Sequence, residues 1–348
     1  MKERQHNMLD ELKGVAMLMV IFTHNSWSNN DRRAMGFPFW IDMAVPVFMM
    51  ITGYLNAKSA SRQNQLTIKD GFEIKGILKK LIRFYLPFLF ACFLMFAVDY
   101  LRGTGYEPKV YLSVLFLGKA EYGGYYTFML IQLIVLFPVL YQVVRRKPLY
   151  GLLFLFLLNI GYEYAKGPLL MSAAVYRVCV IRLIFSITVG IFIAVYDKNI
   201  PITTWGLACI VGAYINYVNY YHDLGIAGID RWITKSWPSA LYVMPVIYMA
   251  VKNGTKRPCH FKWIGIIGSK SYHIFLAQMI YFNSFKDFIY PLIDSSRLTH
   301  YPGLYLKLVI NFAITIPAGL LFAKVAEPIE AKLIKKVTEG INYKSVQE

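Results

Sequence analysis

Two residues near the amino terminus have the types and spacing to do chemistry together. Lys13 and His24 lie in the first apolar run, eleven positions apart. At 100° per residue that step returns to nearly the same helix face, about 16 Å further along the axis. Ionisable groups at membrane depth are costly and point to function. A neutral imidazole takes the proton of an alcohol as that alcohol attacks a carbonyl. If the carbonyl is a thioester, the thiolate leaves readily, and one general base with oxyanion donors suffices. Lys13 would meet a phosphate of an anionic carrier, and Asn25 and Ser26 follow His24 directly. The plainer alternatives are a snorkelling topology anchor for Lys13 and a packing histidine for His24.

Other polar residues fall within apolar stretches. Asp42, at the start of the second, would orient His24 or a substrate hydroxyl, or serve as an interfacial helix-start residue. Thr52 and Gly53 lie deeper, where such pairs often serve close helix packing. Arg177 and Arg182 flank the start of the sixth stretch, and Arg182 requires a carboxylate or phosphate partner. Gln132 and Gln278 suit hydrogen bonds between helices, and Asp99 an interface. His222, His260, His273 and His300 show no metal-ligand spacing. Cys92, Cys179, Cys209 and Cys259 form no CxxC pair, so neither a disulfide framework nor a metal site is expected.

The elements that must position these residues are membrane helices. The 348 residues are 57% hydrophobic and only 16% charged, with mean hydropathy +0.44; soluble domains carry about 25% charged residues. The net charge of +17 would suit nucleic acid in a soluble protein. Here the basic residues sit between apolar runs, which is a topology signal, and no nucleic-acid partner is expected. Ten stretches are long enough to be considered as spans: 12–27, 38–57, 84–100, 125–144, 149–164, 178–196, 202–220, 236–251, 263–282 and 304–323. A basic amphipathic segment, 68–83, precedes the third. Alternate loops are rich in Lys and Arg: Lys58 to Arg83, Arg145 to Lys147, Lys252 to Lys262 and the tail from Lys332 to Lys344. The positive-inside rule then places both termini in the cytoplasm. The expected fold is an all-α polytopic membrane helical bundle of about ten transmembrane helices. It forms one domain, 1–348, with a short cytoplasmic tail from about 324. The first run lacks a signal-peptide cleavage pattern and is expected to be retained. No internal repeat of the inverted-transporter kind is visible.

The segment LDELKGVAMLMVIFTH, with its basic residue, ten intervening positions and His, resembles the first span of the acyltransferase-3 family of bacterial membrane O-acyltransferases. VPVFMMITGYL resembles that family's second-span motif, with Thr52 where Ser is common and Pro46 where many members have Asp. YYTFMLIQLIVLFPVLY, Arg182 with Gly190, IGSKSYHIFLAQMIYF and the late Glu327–Pro328 resemble further family segments in the same order. Gln278 stands where His is frequent.

The resemblance implies His24 as the catalytic residue, with Asp42 as the candidate assisting carboxylate. It implies acetyl-CoA, or a related acyl-CoA, as donor, with Lys13 as a donor-site cation. Lys79, Lys80, Arg83 and Arg182 are further candidates for holding the donor, and Asn25, Ser26, Thr52 and Tyr126 for the acceptor. The acceptor would be a hydroxyl on an envelope or exported glycan or a lipid-linked sugar, and the location a bacterial cytoplasmic membrane. Two other classes fit a polytopic chain: a transporter or flippase, and a non-catalytic partner in a glycan export complex.

Overall fold

The computed structural model describes residues 7–103, 107–165, 168–196, 198–222, 236–254, 260–296 and 298–344. Lys256, Arg257 and Cys259 lie outside the described residues, as do residues 1–6 and the side chain of Lys344. The described chain is helical, with no strand. In order it forms α1 (Met8–Thr23), α2 (Asn29–Ala34), α3 (Phe37–Trp40), α4 (Ala44–Arg62), α5 (Ile68–Gly71), α6 (Ile74–Leu101), α7 (Pro108–Leu117), α8 (Tyr125–Arg146) and α9 (Pro148–Ala165). Then come α10 (Ala173–Val178), a 3-10 turn (Val180–Leu183), α11 (Ile184–Val195), α12 (Ile202–Tyr221), α13 (Trp237–Gly254), α14 (Lys262–Ser269), α15 (Ser271–Ser284), α16 (Lys286–Asp294) and α17 (His300–Lys344).

Each of the ten apolar stretches coincides with a helix or a consecutive run of helices. Among the described residues, four segments are long and apolar enough to cross a membrane on those grounds alone: Phe37–Arg62, Ile68–Leu101, Tyr125–Arg146 and His300–Glu339. Three of the others fall short for visible reasons. α1 has 16 residues, about 24 Å of helix against a hydrocarbon layer of about 30 Å. The sixth stretch is a 3-10 turn followed by 12 residues of α11. The ninth breaks at Lys270, between α14 and α15. Two features run further than the sequence suggested. From Ile74 the basic segment is continuous with the third stretch, so Lys75, Lys79, Lys80 and Arg83 ride on the 28-residue α6. The last helix continues past Ala323 to Lys344 without a break.

The chain divides into two compact units, each built from two segments. The first comprises Met1–Thr67 and Val139–Ser269. Its centre is the crossing of α4 and α11, which is close because both helices lack a Cβ where they meet. A Cβ on Gly53 would strike the carbonyl oxygen of Ile187, and one on Gly190 that of Met50. Met50, Ile51, Val189, Ala240 and Ile247 fill the surrounding core. The same device docks α1 on α14: a Cβ on Gly14 would strike the Ile264 carbonyl, and one on Gly268 that of Asp10.

The second unit comprises Ile68–Pro138 and Lys270–Glu348. Here α15 packs against α6 and α17. Lys270 meets Glu327 at 2.5 Å and His273 meets Glu330 at 3.0 Å. The two pairs are spaced three residues apart on both helices, so they stack on one seam. The Tyr272 hydroxyl donates to the Phe84 carbonyl at 2.5 Å, tying α15 to α6.

Candidate active site

The amino-terminal end of α1 is fixed by a capping box. Asn7 Oδ1 accepts from the backbone N–H of Leu9 and Asp10 at 3.1 and 3.2 Å. Asp10 returns an acceptor to the Asn7 N–H at 3.5 Å. This satisfies amides that a helix start leaves orphaned. Lys13 lies one turn on, and its ammonium meets Asp10 at 2.7 Å. The lysine side chain is 18% exposed and the aspartate 4%, so Lys13 stands as half of an ion pair. Beside it Glu11 Oε1 accepts the Phe261 N–H at 2.6 Å, which ties α1 to the start of α14.

The other end of α1 is finished with unusual completeness. The His24 N–H donates to the Ile21 carbonyl and the Asn25 N–H to that of Phe22, both at 3.2 Å. The Trp27 indole N–H also donates to Phe22 O, at 2.7 Å, and Arg32 Nη2 donates to Thr23 O at 3.3 Å. The last carbonyls thus meet two amides, an indole and a cation, which suits the negative pole of a helix. His24 is the C-cap of α1 in this setting, with φ −90° and ψ −1°. It is partly buried, Asn25 is buried and Ser26 is exposed. Because α1 is continuous from Met8 to Thr23, Lys13, in its second turn, and His24, at its C-cap, are carried by one helix.

The chain then folds back through α2 and α3 before α4 begins. Ser28 and Asp31 form a second capping box, with the Ser28 hydroxyl donating to Asp31 at 2.7 Å and accepting from its N–H at 3.1 Å. Arg33 donates to the carbonyls of Tyr220 and Tyr221 at 3.3 and 3.1 Å, and the Tyr221 hydroxyl returns a bond to Arg33 O at 2.7 Å. That reciprocal clasp fixes α2 on the end of α12. Asp42, 9% exposed, lies in the turn between α3 and α4. It is in electrostatic range of the Tyr220 phenol, which Arg32 and Arg33 also reach.

The remaining candidates separate into distinct settings. The Thr52 hydroxyl donates to Phe48 O at 2.7 Å on its own helix, a bond that holds a polar group within an apolar span. Arg182, 4% exposed, lies over the Tyr176 ring at 5.7 Å. The Tyr176 hydroxyl donates to Glu163 at 2.8 and 2.9 Å to its two oxygens. The backbone of the 3-10 turn is held by Asn159, whose Nδ2 donates to Arg182 O and whose Oδ1 accepts from Phe185 N–H, both at 3.3 Å. Arg182 therefore belongs to a buried tyrosine–carboxylate cluster. These residues all belong to the first unit. Lys79, Lys80, Arg83 and Tyr126 belong to the second. Lys80 lies over the Phe137 ring at 5.4 Å, and Tyr126 packs on Phe275 with ring centroids 5.2 Å apart. Among the described residues no cluster of His, Cys, Asp and Glu is placed to hold a metal ion.

Sequence reasoning passed over Trp27, Arg32, Arg33 and Trp40, which shape the turn after His24, and Glu163 with Tyr176, which surround Arg182. Signals were present: an Arg pair in an otherwise sparse loop, and a Glu inside an apolar run.

Comparison with known proteins bears on the whole chain. A family model described as an acyltransferase domain, Acyl_transf_3, matches residues 7–324. Neither a curated protein nor a solved structure matches. The family segment opens at the Asn7 cap, carries both ends of the α1 rod and closes within α17. The chain belongs to the acyltransferase-3 family and is a helical membrane acyltransferase.

Proposed function

We propose that the protein is an O-acetyltransferase, moving an acetyl group from cytoplasmic acetyl-CoA to a hydroxyl of an envelope or exported glycan. The observation that carries this reading is His24 at the C-cap of a continuous helix that bears Lys13 in its second turn. About ten helices would span the cytoplasmic membrane of a bacterium, with both termini inside, following the loop charges. Short spans such as α1 are reconciled with the bilayer by neighbouring helices and local thinning.

In the reaction the acceptor hydroxyl attacks the thioester carbonyl while His24 takes its proton. The carbon–oxygen bond forms, the carbon–sulfur bond breaks, and the thiolate of CoA leaves and recovers the proton from the imidazolium. The negative pole of α1 stands behind the imidazole, where positive charge develops as the proton arrives. Asp42 is the carboxylate proposed to assist, and Asn25 and Ser26 supply polar contacts to the acceptor. Lys13, paired with Asp10, would also meet a CoA phosphate.

The test uses purified full-length protein, radiolabelled acetyl-CoA and an envelope glycan fraction, following label into glycan, water or protein. Loss of a general base lowers turnover by about 10²–10⁴-fold. His24→Ala, confirmed folded and inserted, should therefore lose transfer on that scale. Full transfer by that variant would overturn the mechanism.

A further inference from the structure

The last helix is more than twice as long as a membrane crossing requires. The 45 residues of α17 make about 68 Å of helix against a hydrocarbon layer of about 30 Å. Beyond the last apolar stretch its outer face interleaves two kinds of residue. Val325, Ile329 and Leu333 are 49%, 52% and 37% exposed. At steps of four they form one aliphatic ridge. Lys324, Lys332, Lys335 and Lys336 are exposed around it. Such a ridge is disfavoured in water, and a row of ammonium groups is disfavoured in hydrocarbon. A membrane surface satisfies both, with aliphatic groups at the acyl boundary and lysines extended to the headgroups.

The start of α6 brings further cations to the same level. The Tyr272 hydroxyl of α15 donates to Phe84 O on α6, and the adjacent His273 meets Glu330 on α17. Further along, Phe90 stacks on Phe322 with ring centroids 5.6 Å apart. Passing from Phe84 to Phe90 on α6 thus matches passing back from Glu330 to Phe322, so the two helices run antiparallel. Arg83 accordingly lies near the level of Glu330, and Lys79 near that of Lys335. Arg83 and Lys79 are exposed, whereas Lys80 turns over the Phe137 ring.

The acids of this end are already engaged. Glu327 meets Lys270, Glu330 meets His273, and Glu339 meets Lys335 at 3.9 Å. From Ile74 to Leu86 α6 carries no acidic residue. Lys332 has Pro328, Ile329, Lys335 and Lys336 at helical spacing, so no carboxylate on its own helix answers it. The uncompensated charge is spread along the outside of helices, beside aliphatic groups. A soluble phosphate compound gains nothing from that ridge, whereas a phospholipid offers a phosphate for the lysines and methylenes for the ridge.

We infer that this end of the second unit is a binding surface for anionic phospholipids. Their phosphates meet Lys332 and Lys336, their first methylenes lie along Val325, Ile329 and Leu333, and Lys79 and Arg83 add charge at the same level. The inference needs only the membrane character of the chain, whichever acyl group and acceptor it handles.

The experiment uses the delipidated full chain in an uncharged detergent. Dioctanoyl phosphatidylglycerol, dioctanoyl phosphatidylcholine and CoA are titrated separately, and bound species are counted by native mass spectrometry. Wild type should bind phosphatidylglycerol more tightly than phosphatidylcholine, and added salt should narrow the difference. Each Lys or Arg near an anionic surface is worth about fivefold in affinity. Lys332→Gln with Lys336→Gln should therefore weaken phosphatidylglycerol binding by about 5–25-fold and leave phosphatidylcholine and CoA unchanged. Lys332→Arg with Lys336→Arg keeps the charge and should keep the preference. Lys109→Gln with Lys119→Gln, an equal change of net charge in the α7 region, should leave it intact. Equal affinity of wild type for the two lipids, or an equal loss in the α7 variant, would overturn the surface. So would lysine-dependent binding of CoA alone, which would assign these cations to a soluble phosphate.

Discussion

The pairing of Lys13 with Asp10 permits a test that separates two roles for one lysine. In the first, Lys13 only neutralises a buried carboxylate. In the second, it also binds a phosphate of the donor. At 2.7 Å the Coulomb attraction is about 6 kcal/mol at an effective dielectric of about 20. Desolvation and the partial exposure of Lys13 reduce the net loss on removing it to about 2 kcal/mol. Part of the Asp10 charge is also offset by the positive pole of α1, a contribution of about 0.3–1 kcal/mol. Lys13→Met should therefore lower the melting temperature of the detergent-purified protein by several degrees, at about 2–4 °C per kcal/mol. If Lys13 also binds the donor, losing a charge-assisted bond raises KM for acetyl-CoA by about 10–100-fold. Asp10→Asn frees the lysine while keeping the capping acceptor, so KM should hold or fall. The double variant decides between the roles. Neutralising both partners should restore most of the stability and leave KM high. A double variant that regained both stability and wild-type KM would refute donor binding and leave Lys13 as a structural counter-charge.

Further outcomes rest on the packing. Gly190→Ala should abolish the close α4–α11 crossing, because the new methyl would strike the backbone of Met50. A cost of about 3 kcal/mol, at the upper end for overpacking, should appear as poor yield and a lowered melting temperature; a wild-type melt would show the helices free to separate. In the second unit the two stacked polar contacts should differ in weight. The side chains of His273 and Glu330 are 10% and 9% exposed, against 33% and 41% for Lys270 and Glu327. Truncating His273 to Ala should cost about 2–3 kcal/mol, and Lys270→Ala about 1 kcal/mol or less. Equal melting shifts for the two would contradict the burial argument.

How much of the fold and the site is legible in the sequence differs from residue to residue, and the reason is physical. Apolar runs and loop charges report bilayer solvation, a local property of sequence, and the ten stretches accordingly coincide with helices. The α1 spacing of Lys13 and His24 is legible because a single helix has a fixed pitch. Pairings across elements carry no such periodic signal. Nothing in the spacing states that Glu163 receives the Tyr176 hydroxyl. The Lys13–Asp10 and Thr52–Phe48 contacts, by contrast, lie within one helix at helical spacing. The Gly53 packing alternative is readable because only glycine permits two backbones to touch, and the Ile187 carbonyl occupies that space.

The turn after His24 shows the limit most clearly. Hydropathy merges α3 with α4 into one span, since Phe37, Pro38, Phe39 and Trp40 are as apolar as the first turns of α4. The structure separates them at Ile41 to Met43, which turn before Ala44. Gly36, at φ +63°, sets α3 off from α2; a left-handed residue is inexpensive only for glycine, a single-residue signal that an average over many residues cannot register. The separation matters to the chemistry. A straight span starting at Phe37 would place Trp40 and Asp42 on one uninterrupted helix. The folded turn instead seals the Trp40 indole N–H against Met35 O, sets its ring on Phe22 and leaves Asp42 in a buried bend near Tyr220. The α1 rod delivers His24 to one end of the helix; what surrounds that end is a fold-back that only tertiary packing discloses.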